Sequence, residues 1–129
     1  MAQKITKSAK DIVQAAIAAV PAISAEEAMA FVGSPDHVFI DLRDGTEQAK
    51  TGMIADALAS SRGMMEFHID PESPPHKPEF NLDKTFVFYC ASGGRSALAA
   101  VVAMDMGLSP VVNLTGGVAA WKKAGGTLT

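Results

Sequence analysis

The sequence is poor in the residues that staple, anchor or broadly attract. It holds one cysteine, Cys90, which excludes an internal disulfide framework and any multi-cysteine metal site. Its three histidines, His37, His68 and His76, are too scattered to suggest a metal centre. Basic residues are not in excess: 11 Lys and Arg face 14 Asp and Glu, giving a net charge of -3. That balance offers no general attraction to nucleic acid or anionic lipid, so neither is expected as a partner. No run approaches the roughly 18 uncharged apolar residues that a membrane span requires. A reducing, cytoplasmic setting is the natural expectation for a chain with a single thiol.

What remains is enough for one core, since 48% of the 129 residues are hydrophobic. Residues 1–20 place Lys4, Lys7 and Lys10 before the apolar run Ile12 to Val20, which loosely resembles a signal peptide. Asp11 and Gln14 interrupt that run, and Ile12, Val13, Ala16 and Ile17 repeat at the spacing of one helix face. Residues 1–20 are therefore read as an N-terminal helical extension, and 21–129 as the domain proper.

Within the domain, helix and strand signals alternate. Ala22-Ile23 reads as a very short strand, and Ser24 with Glu27 forms a capping box for a helix running past Phe31 to Gly33. His37 to Leu42 and Thr85 to Tyr89 are β-rich apolar runs without alternation, the pattern of strands buried on both faces. Asp44 to Lys50 suits a short helix and Ala55 to Ser60 a short strand. Pro71, Pro74, Pro75 and Pro78 make Arg62 to Phe80 irregular. Ser96 to Met106 reads as an apolar helix, Pro110 to Leu114 as a strand, and Val118 to Ala124 as a last helix. Alternation of this kind predicts an α/β fold with a central parallel β-sheet flanked by helices on both faces. Ligands and chemistry in such sheets gather beyond the carboxyl ends of the strands, where Cys90 falls.

Cys90-Ala91-Ser92-Gly93-Gly94-Arg95-Ser96 joins a buried strand to a helix. Successive N–H groups in such a loop can turn inward, and the helix behind it leaves its first amides unpaired. Gly93 and Gly94 permit the positive φ angles of a tight curl. A sulfur at the base of this anion cradle should titrate below a free thiol. Arg95 adds a fixed cation suited to an oxyanion. A lone cysteine at a strand end is often just a small buried hydrophobe, but a structural cysteine needs none of these companions. Ser92 and Ser96 are further donors, and Ser96 serves equally well as the helix N-cap.

These residues resemble a known family. Cys90-x-x-Gly93-x-Arg95-Ser96 is similar to the active-site loop of single-domain rhodanese-like sulfurtransferases. Asp41-Leu42-Arg43-Asp44 resembles that family's Asp-Val-Arg signature, and Thr115-Gly116-Gly117-Val118-Ala119-Ala120-Trp121 its C-terminal Gly-Gly-x-x-x-Trp element. One departure is Gly52-Met53-Ile54, where many relatives have Gly-His-Ile. The resemblance implies a Cys90 persulfide that receives sulfane sulfur from thiosulfate or a similar donor. It then yields that sulfur to cyanide or a thiol, with a protein acceptor as an alternative partner. Ala91 to Arg95 would hold the anions, and neither metal nor organic cofactor is implied.

Other residues carry two readings each. Asp41 and Arg43 either shape the rim of the site or form an ion pair that fixes the loop, and the second is preferred. Met64, Met65 and Phe67 either wall the mouth or fill the core. His68 and His76 are read as solvent-exposed loop residues, and Trp121 as core. Two rival functions are weighed: a non-catalytic binding or relay module, and a phosphatase. Related phosphatase loops set five residues between Cys and Arg, whereas four stand here, which suits a single added sulfur better.

Overall fold

The computed structural model describes residues 2–129. Its centre is a five-stranded sheet built from β1 (Ala22–Ile23), β2 (His37–Asp41), β3 (Leu58–Ala59), β4 (Thr85–Tyr89) and β5 (Val111–Leu114), in the order β1-β5-β4-β2-β3. All four pairings are parallel. Six α-helices accompany them: α1 (Ala9–Ala19), α2 (Ala25–Met29), α3 (Gly45–Thr51), α4 (Met65–Ile69), α5 (Gly94–Asp105) and α6 (Gly117–Lys123).

The continuous apolar runs of β2 and β4 are explained by helices on both sides of the sheet. Phe86 and Phe88 of β4 pack with α4 and α5, while Val87 and Tyr89 face α2 and α6. Strand pleating sends neighbouring side chains to opposite faces, so each run supplies two cores at once. On α5 the buried residues are mostly alanines, Ala97, Ala99, Ala100 and Ala103, whose small side chains let the helix sit close to the sheet. Against the outer side of α5 lies α1, capped by Ser8 and burying Ala16 and Val20. No described helix is long and apolar enough to cross a membrane.

Several boundaries depart from the sequence reading. Helix α2 ends at Met29, short of Phe31, and the turn continues to Gly33 at φ 78°. The segment Arg62 to Phe80 is not wholly irregular. It contains α4 before Pro71 and a short 3-10 helix, Pro78–Asn81, which starts on a proline because N1 needs no N–H. Helix α5 begins at Gly94, so Ser96 lies inside its first turn and is not the N-cap; Gly93, at φ 99°, takes that place.

Register sets up the site. Strands β2 and β4 run level, from His37 opposite Thr85 to Asp41 opposite Tyr89. The Leu42 amide then donates to the Tyr89 carbonyl at 2.9 Å. The Asp41-Leu42-Arg43 and Cys90 segments therefore emerge side by side at the carboxyl end of the sheet.

Candidate active site

Cys90 follows β4 directly and is 1% exposed. Its Sγ accepts hydrogen bonds from the amides of Gly93 at 3.2 Å and Ser96 at 3.4 Å. The curl that brings these donors inward depends on Gly93. Its φ of 99° is costly for any other residue, and an added Cβ would meet the Gly116 nitrogen at 3.2 Å. Burial raises the pKa of the Cys90 thiol, but the Ser96 side chain and the amides of Ser96, Ser92 and Gly93 outweigh it. The thiol titrates below its ordinary value. Ser92 is exposed and Ala91 half-buried, so Ser92 contributes through its amide.

The Gly116-Gly117 element fixes the other side of the loop. The amides of Val118 and Ala119, in the first turn of α6, donate to the carbonyls of Cys90 at 2.9 Å and Ala91 at 3.1 Å. Gly117 allows that approach: a Cβ there would overlap the Cys90 carbonyl oxygen and lie 2.8 Å from the Ala91 carbonyl carbon. The sequence element thus has a mechanical purpose, which is to clamp the strand end that carries the sulfur.

Beneath the loop sits a residue that the sequence reading passed over. Asn113 of β5 is 4% exposed. Its Oδ1 accepts from the Ser96 hydroxyl at 2.6 Å, and its Nδ2 donates to the Gly93 carbonyl at 3.2 Å. With its carbonyl held down, Gly93 stays in the backbone orientation that directs its amide at the sulfur. A polar residue inside Val-Val-Asn-Leu, just before Thr115-Gly-Gly, was the available signal.

Arg95, expected to steer a donor, is held by a carboxylate. Its Nη1 and Nη2 donate to Oε1 and Oε2 of Glu47 at 2.6 and 2.8 Å. Hydrogen bonding to Arg95 is the chief reason that the Glu47 carboxyl is lowered to about 2. The same contact raises Arg95. Glu47 also caps α3 reciprocally with Asp44: the Glu47 amide donates to Asp44 Oδ1 at 2.9 Å, and the Asp44 amide to Glu47 Oε1 at 3.3 Å. The Asp44-x-x-Glu47 spacing could have revealed the cap, though not the partner across the mouth.

Asp41 and Arg43 take the ion-pair role. They are 0% and 2% exposed, and Arg43 Nε and Nη2 donate to the Asp41 carboxylate at 2.8 to 3.2 Å. The remaining guanidinium donors reach Thr51 Oγ1 at 2.8 Å and the Gly52 carbonyl at 2.7 Å, tying the end of β2 to the end of α3. The Met64-Met65-Phe67 group is divided. Met64 and Phe67 are 39% and 53% exposed, whereas Met65 is completely buried in the core that includes Cys90 and walls nothing. Helical geometry separates them, since α4 turns Met65 and Ile69 together toward the sheet.

His68 and His76 are not solvent-exposed, as the sequence reading had them. Both are half-buried: His68 Nδ1 is 2.8 Å from Ser60 Oγ, and His76 Nδ1 donates to the His68 carbonyl at 2.8 Å. They pin the Pro-rich segment in place. Trp121 is core, 2% exposed, with Nε1 donating to the Thr127 carbonyl at 3.0 Å.

Comparison with known proteins agrees with this geometry. The family model of the Rhodanese-like domain matches residues 24–124. A sulfurtransferase of Allochromatium vinosum is 37% identical over 90 residues, 70% of this chain and 76% of that protein. A Rhodopseudomonas palustris structure, described as a protein of unknown function and possible tyrosine phosphatase, is 45% identical. It superposes with a TM-score of 0.94, covering 100% of this chain and 99% of that one. The human single-domain sulfurtransferase is 25% identical with a TM-score of 0.68, covering 81% of this chain and 96% of its own.

Proposed function

The chain belongs to the rhodanese-like family, and on that premise we propose that it transfers sulfane sulfur through a persulfide on Cys90. The observation that carries the proposal is the sulfur itself: buried, lowered in pKa, and accepting two inward-turned amides at the mouth of a parallel sheet. A thiolate so held is both stabilised and aimed.

In the first half-reaction the Cys90 thiolate attacks the outer sulfur of thiosulfate or a similar donor. A new S–S bond forms on Sγ, the donor's S–S bond breaks, and its electron pair leaves with sulfite. In the second, cyanide or a thiolate attacks the outer persulfide sulfur. The S–S bond to Sγ breaks, its electron pair returns to Cys90, and thiocyanate or the acceptor's persulfide departs. No external oxidant or reductant is required. The amides of Gly93 and Ser96, with that of Ser92, stabilise the anion on the sulfur at each stage. Arg95 marks the entrance, its charge balanced by Glu47.

The phosphatase reading has one observation in its favour, the description of the Rhodopseudomonas palustris protein. Against it stand the four residues between Cys90 and Arg95 and an arginine committed bidentately to Glu47. A phosphate needs that guanidinium facing inward. Intact-protein mass spectrometry after incubation with thiosulfate tests the proposal. One added sulfur, removed by cyanide, is expected. A protein that remains unmodified with every sulfane donor, yet hydrolyses an aryl phosphate, would instead be a phosphatase.

A further inference from the structure

Helices α1 and α5 run parallel: Val13 lies against Gly94 at the start of α5, and Ala19 lines a hollow with Met104 and Asp105 at its end. Between the helices runs an apolar groove, formed by two adjoining hollows of about 420 Å³ each that share Ala19, Val101 and Val102. Ile12, Val101 and Met104 border it, and all three are exposed. Helix α1 lies outside residues 24–124, so the sulfur chemistry of the family's domain does not account for this face. Packing within the chain does not account for it either. A helix of 11 residues depends on tertiary packing for its stability, yet α1 fully buries only Ala16.

The two ends of the groove carry opposite charges, and each charge stands where its own helix disfavours it. Lys7 and Arg62 line one end and Asp105 the other. Lys7 immediately precedes the Ser8 N-cap of α1, where unpaired amides repel a cation. Asp105 is the last residue of α5, where unpaired carbonyls repel an anion. Lys7 and Asp105 enter no ion pair among the described residues, while Arg62 is held by Glu66. A two-fold axis through the middle of the groove reverses these relations. It sets Lys7 of one copy beside Asp105 and the carbonyl end of α5 in the other, and the same contact recurs across the axis. Charges that are unfavourable within one chain become favourable in a pair, and the exposed apolar side chains are covered. A fatty anion would satisfy the basic end alone and leave Asp105 against its tail.

We propose that the groove between α1 and α5 seats a second copy of this chain, docked antiparallel about a two-fold axis. The proposal does not depend on the persulfide reading.

Sedimentation velocity on the full chain over a concentration series tests it, with Lys7→Glu, Asp105→Lys and the two combined. The wild type is expected to form a dimer. Each single reversal sets like charges together at both symmetric contacts and should raise the dissociation constant about tenfold. The combined variant should return to the wild-type value. An equimolar mixture of the two single variants should do the same, because both contacts of the mixed dimer again join opposite charges. Asp105→Lys relieves the end of its own helix, so weaker association in that variant cannot be ascribed to loss of the fold. A wild type that stays monomeric up to about 1 mM overturns the proposal. A dimer that neither reversal weakens, or that neither the combined variant nor the mixture restores, overturns it too, since the contact then lies elsewhere. Decanoate is the rival occupant: if it raises the thermal midpoint of a monomer and Val101→Glu abolishes that gain, the groove holds an aliphatic anion and the proposal falls.

Discussion

Asn113→Leu probes the support beneath the sulfur. The substitution keeps the approximate volume of the side chain but removes its acceptor for the Ser96 hydroxyl and its donor for the Gly93 carbonyl. All three residues are buried, so water cannot readily replace either bond. An orphaned buried group costs about 1–3 kcal/mol, and leucine recovers part of the loss through apolar burial. The Gly93 carbonyl keeps its bond from the Ala97 amide, so a net destabilisation of about 1–2 kcal/mol is expected, read from the urea midpoint at constant m-value. Ser96→Ala alone strands Asn113 Oδ1 and should cost about 1–2 kcal/mol. In the double variant the Gly93 carbonyl still accepts from the Ala97 amide at 3.2 Å and neither side chain is left stranded, so the combined cost should be about 1–2 kcal/mol less than the sum. The alkylation rate of Cys90 against pH is the second assay. Asn113→Leu removes one of the two bonds on the Gly93 carbonyl and loosens its amide from Sγ, so the thiol midpoint should rise toward the free value of about 8.5. Strictly additive stabilities with an unmoved alkylation midpoint would refute the reasoning, because they would mean that Asn113 neither couples to Ser96 nor positions Gly93.

Three further outcomes follow from other contacts. Cys90→Ser should take up no sulfur and, since the folded thiol is lowered in pKa, should also alter pH-dependent stability. The unfolded chain holds the proton up to about pH 8.5, so the advantage of wild type over variant should grow as pH rises from the folded pKa toward that value. It should vanish as pH falls below the folded pKa; urea titrations from pH 6 to 9, about that range, would show no trend if the amides did not stabilise the thiolate. Glu47→Gln keeps the helix cap but loses the charge on Arg95. Glu47 is depressed to about 2, so its contribution is full above the ordinary carboxylate range and declines as pH falls toward about 2. With both partners 32% to 41% exposed, a loss of only about 0.5–1 kcal/mol at neutral pH is expected, narrowing in acid. A gap that widens in acid would contradict this. Gly117→Ala forces a Cβ onto the Cys90 and Ala91 backbone at a positive φ of 58°. It should cost about 2–4 kcal/mol and weaken sulfur loading in the folded fraction; a thermal midpoint equal to wild type would remove Gly117 from the clamp.

The parts of this molecule legible in the sequence are those written in neighbouring residues. Capping by Ser24 and Glu27, the apolar runs of β2 and β4, and the positive-φ glycines at 93, 107 and 125 act within a few positions of themselves. Pattern and turn chemistry therefore reveal them. Ser96 was ambiguous for the same reason. An N-cap and a first-turn residue look alike until Gly93 is seen to take the cap in a left-handed conformation. The site's supports are different in kind. Glu47 reaches Arg95 across 48 positions, and Asn113 reaches Ser96 and Gly93 across 17 and 20. No local period encodes such pairs, because they exist only once parallel crossovers have brought the strand ends level. At Glu47 the sequence shows only an ordinary capping box, whereas at Asn113 it shows a local misfit, an amide in an apolar strand. A buried polar group persists in a core only if it is satisfied there. Asn113 inside Val-Val-Asn-Leu therefore already implied a polar partner at the end of β5, and the sulfur loop is what the topology places there.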